Sequence, residues 1–204
     1  IIKNESKLGA TGGITCWCSG NISNCANLSN ISSQIADDSD AAAAGICSSS
    51  GVDASITDCF NIGKIGGISD KGRLAIGGIC GVCSGKIENC YNKGTIIGKA
   101  GTIIDIGGIS GRLHGAIKNS YAICKIQSEY EESENTGVLV GFINGGSMSN
   151  SFYLKQDEIN GCGNKWNATV DTDEKMKKED SEMKQIEFVN LLNTDEAEIW
   201  KEDI

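Results

Sequence analysis

Hydrophobic positions recur along this chain at a long period. Aliphatic residues just after a glycine stand at Ile14, Ile46, Ile79, Ile109 and Val138, separated by 32, 33, 30 and 29 residues. Each opening leads to a second apolar position in a common setting. The five copies are Gly20-Asn21-Ile22-Ser23-Asn24-Cys25, Ser55-Ile56-Thr57-Asp58-Cys59-Phe60-Asn61, Gly85-Lys86-Ile87-Glu88-Asn89-Cys90-Tyr91-Asn92, Gly115-Ala116-Ile117-Lys118-Asn119-Ser120-Tyr121 and Gly146-Ser147-Met148-Ser149-Asn150-Ser151-Phe152-Tyr153. A period near 30 whose steps vary by a few residues describes a fixed core unit with variable connections. Within each unit, glycine breaks the pattern into short runs that read as strands. Alternation along Ile87-Glu88-Asn89-Cys90-Tyr91 predicts Ile87, Asn89 and Tyr91 on one face and Glu88 and Cys90 on the other. No run shows a 3.6-residue period, and each glycine inside a helix would cost about 1 kcal/mol.

Such short strands cannot bury an apolar face alone, but stacking the units in register can. The expected fold is all-β: a parallel β-solenoid of about five coils of ~30 residues, each rising ~4.8 Å. Right-handed coiling is expected from the chirality of parallel crossovers. The repeats span 1–156, and 157–204 form an acidic C-terminal segment with a short helical cap. Stacking predicts columns of like residues. Ile22, Ile56, Ile87, Ile117 and Met148 form an apolar column. Asn24, Asp58, Asn89, Asn119 and Asn150 form a polar one that passes hydrogen bonds between coils and tolerates turn geometry. Cys25, Cys59, Cys90, Ser120 and Ser151 form a column of small residues, and Ile31, Ile65, Ile96 and Ile126 close each repeat. Phe60, Tyr91, Tyr121 and Phe152 read as coil-to-coil stacking in preference to sugar platforms. Variable loops are expected at 32–43, 66–76, 97–106 and 127–136, where any ligand contact should lie.

Composition supports this reading. The chain has 27 glycines and no proline, which suits many tight turns that keep their backbone donors. Aromatics are only 5%, so they cannot dominate the core. The net charge is −9, but from Asp171 onward 12 acidic and 5 basic side chains account for −7. The repeats are nearly neutral and carry no basic patch, which argues against nucleic acid as a partner. No stretch approaches the ~20 apolar residues of a membrane span. The start at Ile1-Ile2-Lys3-Asn4 suggests a piece of a longer polypeptide, with further domains as neighbours.

The pattern Gly-Gly-Ile-x-Gly, then Gly-x-Ile-x-Asn-Cys-Tyr-Asn, then Gly-x-Ile resembles the GLUG-type repeats of bacterial cell-surface proteins. Gly78-Ile79-Cys80-Gly81 through Asn89-Cys90-Tyr91-Asn92-Lys93-Gly94-Thr95-Ile96 is the clearest copy, and the likeness covers about 12–156. Glu182-Met183-Lys184 with Phe188-Val189-Asn190-Leu191-Leu192-Asn193 and Trp200 resembles the segment that often follows such repeats. The resemblance implies a secreted or wall-anchored bacterial protein, of a Gram-positive anaerobe, with the repeats as a β-solenoid. Similar repeats occur as non-catalytic parts of IgA-cleaving metallopeptidases. The first two copies depart from the pattern: Ala26 stands at the tyrosine position, and the second copy carries extra residues near Gly51-Val52-Asp53.

Candidate chemistry is weighed against this architecture. Cys16-Trp17-Cys18 and Cys80-Gly81-Val82-Cys83 have metal-like spacings. Repeat alignment places Ser50 between Cys18 and Cys83, so they stand two coils apart, roughly 10 Å, too far for Zn–S bonds of about 2.3 Å. Stacked Cys25, Cys59 and Cys90 would have Cα atoms within bridging range, yet their Cβ vectors point alike, so free interior thiols are favoured over disulfides. His114 reads as an exposed turn histidine and not as a Ser/His/Asp base. No His-Glu-x-x-His sequence occurs. A carboxylate pair for sugar cleavage would have to come from Asp37, Asp38, Asp40, Asp53, Asp58, Asp70, Glu88 and Asp105. Asp37-Asp38-Ser39-Asp40 reads as a solvated loop, with a weak calcium site as the sharper alternative, and Glu129-Tyr130-Glu131-Glu132-Ser133-Glu134 as another outward loop. In Asp171-Thr172-Asp173-Glu174, Asp171 is expected as helix N-cap. Met176, Met183, Ile186, Val189 and Leu192 are spaced for one apolar helical face, interrupted near Asp180-Ser181, that would cap the C-terminal end of the stack. The Gly161-Cys162-Gly163 stretch reads as a turn.

No catalytic, cofactor-binding or metal-binding residue is assigned, and the chain is expected to be monomeric. The expected function is a non-enzymatic structural or adhesive module on a bacterial cell surface, facing a host or cell-surface protein or glycan. The alternative is a glycan-binding or polysaccharide-cleaving β-helix.

Overall fold

A computed structural model of the chain describes residues 2–4, 9–35, 39–100, 102–129, 135–193 and 199–201. One coil shows the plan: strands Ile65–Ser69, Leu74–Gly77, Cys80–Cys83, Lys86–Glu88 and Tyr91–Asn92 follow one another. Each pairs in parallel with its counterparts in the coils before and after, building five parallel sheets of 5, 5, 6, 6 and 6 strands. Five stacked strands are joined by about four turns of the chain, so the five repeat segments make about four complete turns. The protein is a parallel β-solenoid.

The columns follow the expected register. Ile22 pairs with Ile56, Ile56 with Ile87, Ile87 with Ile117, Ile117 with Met148, and Met148 with Val170. Ile31, Ile65, Ile96 and Ile126 form the second apolar column. From Ile56 to Met148 and from Ile31 to Ile126 these side chains are buried, each contributing roughly 1.5–3 kcal/mol of apolar transfer.

The alternation expected across Ile87–Tyr91 does not hold. Ile87 and Cys90 are both fully buried, and Tyr91 faces outward with Asn92 buried behind it. Asn89 is the cause. Asn24, Asp58, Asn89, Asn119 and Asn150 have φ of 54°, 54°, 54°, 49° and 44°, the left-handed region that Asn and Asp tolerate best after glycine. A left-handed residue turns the corner between the fourth and fifth sheets and shifts the side-chain phase.

The stretches expected as loops at 32–43, 66–76, 97–106 and 127–136 are mostly strand. Ile31–Ile35, Ala41–Ala44, Ile65–Ser69, Leu74–Gly77, Ile96–Ala100, Ile104–Gly107, Ile126–Ser128 and Thr136–Gly137 occupy them. Among the described residues of these stretches only short connections such as 70–73 and 102–103 remain, stacked along one edge of the solenoid, and 36–38, 101 and 130–134 lie outside the described residues. The second strand of the coil is buried on both faces, which removes the alternation that marks a strand. Leu74 and Ile76 point toward the first sheet, where a Cβ on Gly67 would lie 3.1 and 2.8 Å from their methyl groups. Ala75 points toward the third. There a Cβ on Gly81 would come within 2.6 Å of Ser48 O, and one on Gly111 within 2.5 Å of Ile76 N. That contact explains the last glycine of Gly-Gly-Ile-x-Gly: two backbones approach too closely for any side chain.

The stack continues past residue 156. Cys162–Trp166 pairs with Val140–Asn144, so the Gly161-Cys162-Gly163 stretch leads into a strand and is not a turn. Thr169–Val170 and Lys177–Lys178 add further rungs. Among the described residues three short helices stand in this part of the chain: α1 (Asp173–Met176) before the Lys177–Lys178 rung, and α2 (Asp180–Met183) and α3 (Ile186–Leu192) after it. Thr172, not Asp171, is the N-cap of α1, and the capping box is formed by Glu179 and Glu182 at α2. Asp171 instead accepts the Asn150 amide at 2.8 Å. The single apolar helical face is also corrected. Met176 enters the solenoid core, Ile186 is exposed, and Phe188 and Leu192 form a separate cluster with Phe152. The end of the stack is closed by Tyr153, Cys162, Val170 and Met176, with Asp173 accepting from Tyr153 Oη and Gly161 N at 2.8 Å each. The α2–α3 segment lies as a strap along the side of the solenoid, over its aromatic column. No helix among the described residues is long and apolar enough to cross a membrane.

Candidate functional site

Two polar columns run through the interior. In the first, the residue after each left-handed corner is Cys25, Cys59, Cys90, Ser120 or Ser151. Its thiol or hydroxyl donates to the carbonyl two residues earlier: Cys25 to Ser23, Cys59 to Thr57, Cys90 to Glu88, Ser120 to Lys118 and Ser151 to Ser149, at 2.9–3.3 Å. The same heteroatom accepts an amide from the coil before. Cys25 N donates to Cys59 Sγ at 3.4 Å, Cys90 N to Ser120 Oγ at 3.1 Å, and Ser120 N to Ser151 Oγ at 3.3 Å. The corner leaves an amide without a strand partner, and the column supplies its acceptor.

The second column was not expected. Asn27, Asn61 and Asn92 are buried, and their amides chain from coil to coil: Asn27 Nδ2 donates to Asn61 Oδ1 at 2.6 Å, and Asn61 Nδ2 to Asn92 Oδ1 at 2.7 Å. Each also donates to the carbonyl two residues on. A Cβ on Gly78 would lie 2.4 Å from Asn92 Cγ, and one on Gly45 2.6 Å from Asn61 Cγ. The glycine before the aliphatic residue of the opening and the buried Asn are therefore partners in one contact in the first three coils, Gly13 with Asn27, Gly45 with Asn61 and Gly78 with Asn92, whereas Gly108 meets Ala122 and Cys124. The spacing of Asn27, Asn61 and Asn92 carried that signal.

All ten cysteines are free thiols. Register places Ser50 between Cys18 and Cys83, as repeat alignment indicated, and Cys16 is exposed with its thiol on Ala10 O. Among the described residues no group of three or more His, Cys, Asp or Glu side chains converges to hold a metal ion. Register also stacks Cys47 on Cys80, a pair that sequence spacing did not single out. Hydrogen bonding from Cys90 holds the Cys59 thiol down at about 7, while burial raises Cys90 well above the usual range. Burial pushes Cys124 and Cys162 up to about 12.

His114 is exposed, and its Nδ1 lies 3.2 Å from Asn144 O. Three of the candidate acids, Asp40, Asp58 and Asp105, have structural roles. Asp40 accepts the Arg73 amide, and Asp58 accepts from the Asn89 side chain. Asp105 is fully buried in the column that otherwise holds Ala42 and Ala75, where it pairs with Arg112 and accepts from Asn135 at 2.7 Å. Asp37 and Asp38 of the calcium alternative, and 130–134 of the acidic loop, lie outside the described residues.

The outer surface carries the aromatic column. Phe60 and Tyr91 stack at 4.9 Å between centroids, and Tyr91 and Tyr121 at 5.2 Å, with Phe152 next in register. Trp200 meets the edges of Tyr91 and Tyr121, and Phe188 those of Tyr121 and Phe152. Between the column and the α2–α3 segment is a cleft of about 500 Å³ whose lining includes Tyr121, Phe188 and Trp200 together with Lys93, Lys184 and Lys201.

Fold and site together define a parallel β-solenoid repeat protein with an aromatic flank. Comparison with protein-family models, curated proteins and solved structures finds no match to this chain.

Proposed function

We propose that the chain is a non-enzymatic structural or adhesive module of a secreted or wall-anchored bacterial surface protein. The observation that carries this reading is the commitment of its reactive side chains to coil-to-coil bonding. The corner Cys/Ser groups, the buried Asn27, Asn61 and Asn92, and Asp58 are donors and acceptors in columns. A rigid stack of this kind presents an extended face at fixed intervals. The extracellular location rests on the resemblance of the Gly-Gly-Ile and Asn-Cys-Tyr-Asn pattern to GLUG-type repeats. The edge formed by 70–73 and 102–103 is the display surface on this reading.

A second reading, a glycan-binding domain, is supported by the aromatic cleft, since flat rings beside lysines suit a sugar face with polar substituents. Both readings are tested by screening the chain against host glycans and matrix proteins. Glycan binding lost in Tyr121→Ala favours the second. Protein binding moved by changes at 70–73 favours the first. Turnover of a polysaccharide, abolished by an acid-to-amide change, would contradict both.

A further inference from the structure

The two ends of the stack are finished differently. At the last coil the core is closed by Tyr153, Cys162, Val170 and Met176, and Lys165, Lys177 and Lys178 stand on the final rungs. Charged side chains, lysine above all, keep an edge strand from pairing with another chain. The first coil has little of this protection. From Leu8 to Ala36 the sequence holds no Asp, Glu, Lys or Arg, the longest uncharged run in the chain. Gly9–Gly12, Thr15–Cys18, Asn21–Ser23 and Ala26–Asn27 each stand at the outer end of a sheet, as does Ile2–Asn4, which carries Lys3.

Side chains exposed on this face occupy positions that are core in the coils beneath. Ile14 is 48% exposed, whereas Ile46, Ile79, Ile109 and Leu139 along the same hydrogen-bonded column are fully buried. Cys16 is exposed, while Ser48 beside it in register is buried. Ile22 and Cys25 are half-buried, while Ile56 and Cys59 in the next coil are buried. Among the described residues no strand stacks on the outer side of these positions.

The chemistry of the face selects its occupant. The opposite end of another copy does not fit, because Lys165, Lys177 and Lys178 would be buried against a face with no carboxylate to pair them. Head-to-tail stacking, which would propagate into a filament, is thereby disfavoured. The same face of a second copy does fit. Two uncharged faces meet without like-charge repulsion, and a two-fold axis makes each copy the cover for the other. At ~3.3 Å per residue the strands of the first coil trace roughly 50 Å, and a band ~10 Å wide along them gives on the order of 500 Å² per copy. Two such faces reach about 1,000 Å², the lower bound of a specific interface.

We infer that the outer face of the first coil is an interface with a second copy of this chain. The protein is then a weak, two-fold symmetric dimer in place of the monomer expected from the repeats, with Ile14 and Ile22 of each copy covered by the other.

The test is sedimentation equilibrium of the full chain from micromolar to millimolar concentration, with a thiol reductant present so that the exposed Cys16 cannot cross-link copies. Ile14→Asp places a charge at the centre of the face. Asn21→Lys adds an edge lysine that the fold already accepts, since Lys86 holds the same register position two coils on. Ile103→Asp is the control, an exposed isoleucine far from the first coil. Unchanged far-UV spectra verify the fold of each variant. The expected result is a mass that rises from one chain to two in the wild type and in Ile103→Asp. Ile14→Asp should stay at one chain, and Asn21→Lys should raise the dissociation constant roughly tenfold or more. The inference is overturned if the wild type stays at one chain throughout, which would leave the face to a different polypeptide. It is equally overturned if the mass grows beyond two chains, as head-to-tail stacking requires, or if folded Ile14→Asp and Asn21→Lys associate as the wild type does.

Discussion

The Cys90 amide donates to Ser120 Oγ at 3.1 Å, one coil further along the stack. The Cys25 amide donates to Cys59 Sγ in the same way, so one hydrogen-bond geometry serves sulfur and oxygen. Exchange between the two should be nearly neutral. Cys90→Ser is expected to change stability by less than about 1 kcal/mol in urea unfolding, whereas Cys90→Val, which leaves a corner amide without an acceptor, should cost about 1–3 kcal/mol. Equal losses for both would contradict the hydrogen-bonding role.

Glycine substitutions should divide by location. A Cβ on Gly111 would lie 2.5 Å from Ile76 N and 2.7 Å from Asp105 O, whereas one on Gly20 would meet nothing within 4 Å. Gly111→Ala is expected to destabilise by about 1–3 kcal/mol through overpacking of two backbones, and Gly20→Ala to stay within about 0.5 kcal/mol of wild type. Thermal unfolding of the pair measures the difference.

Removing the Phe188 ring should free the strap without melting the stack. Phe188 is buried edge-on against Tyr121 and Phe152, and Phe→Ala at such a site costs about 3–5 kcal/mol. Phe188→Ala should open the segment from Asp180 onward to limited proteolysis while the β-sheet signal in circular dichroism persists.

Asp171 should make strap attachment acid-sensitive. Burial raises its carboxyl, but the Lys175 ammonium and the Asn150 amide outweigh this and hold it below the usual carboxylate range. A depressed carboxylate contributes stability that is full above its unfolded value and is lost as pH falls through the lower folded one. Asn150 also donates to Leu191 O at 2.8 Å, which links this carboxylate to α3. With the exposed Trp17 and Trp166 replaced by Phe, Trp200 fluorescence should change below about pH 4. Asp171→Asn should flatten that change and lower stability at neutral pH by about 1 kcal/mol.

Much of this fold was legible because the repeat aligns chemistry: Ile22, Ile56, Ile87 and Ile117 at one level, and Asn24, Asn89 and Asn119 at another, needed only stacking to become columns. What alternation could not convey was phase. The left-handed Asn89 turns the chain between Glu88 and Tyr91, so residues on opposite faces of a straight strand end on the same side of the core. Leu74–Gly77 read as loop because a strand buried on both faces has no polar positions to alternate. The strap was misplaced because the spacing of Met176 and Leu192 says nothing about the breaks at Lys177–Lys178 and Lys184. The buried Asp105–Arg112 pair had no signal beyond a charged residue in a column of alanines.

The central claim is that every coil repeats the same parallel register. Pairs of nitroxides on keto-bearing unnatural residues at 86 and 147, 21 and 147, and 21 and 169 lie two, four and five coils apart, and leave the native thiols untouched. Pulsed dipolar spectroscopy should return separations that grow with coil number by ~4.8 Å per step, near 10, 19 and 24 Å before allowance for the linkers. Separations that fail to grow in that order would contradict the solenoid and every column built on it.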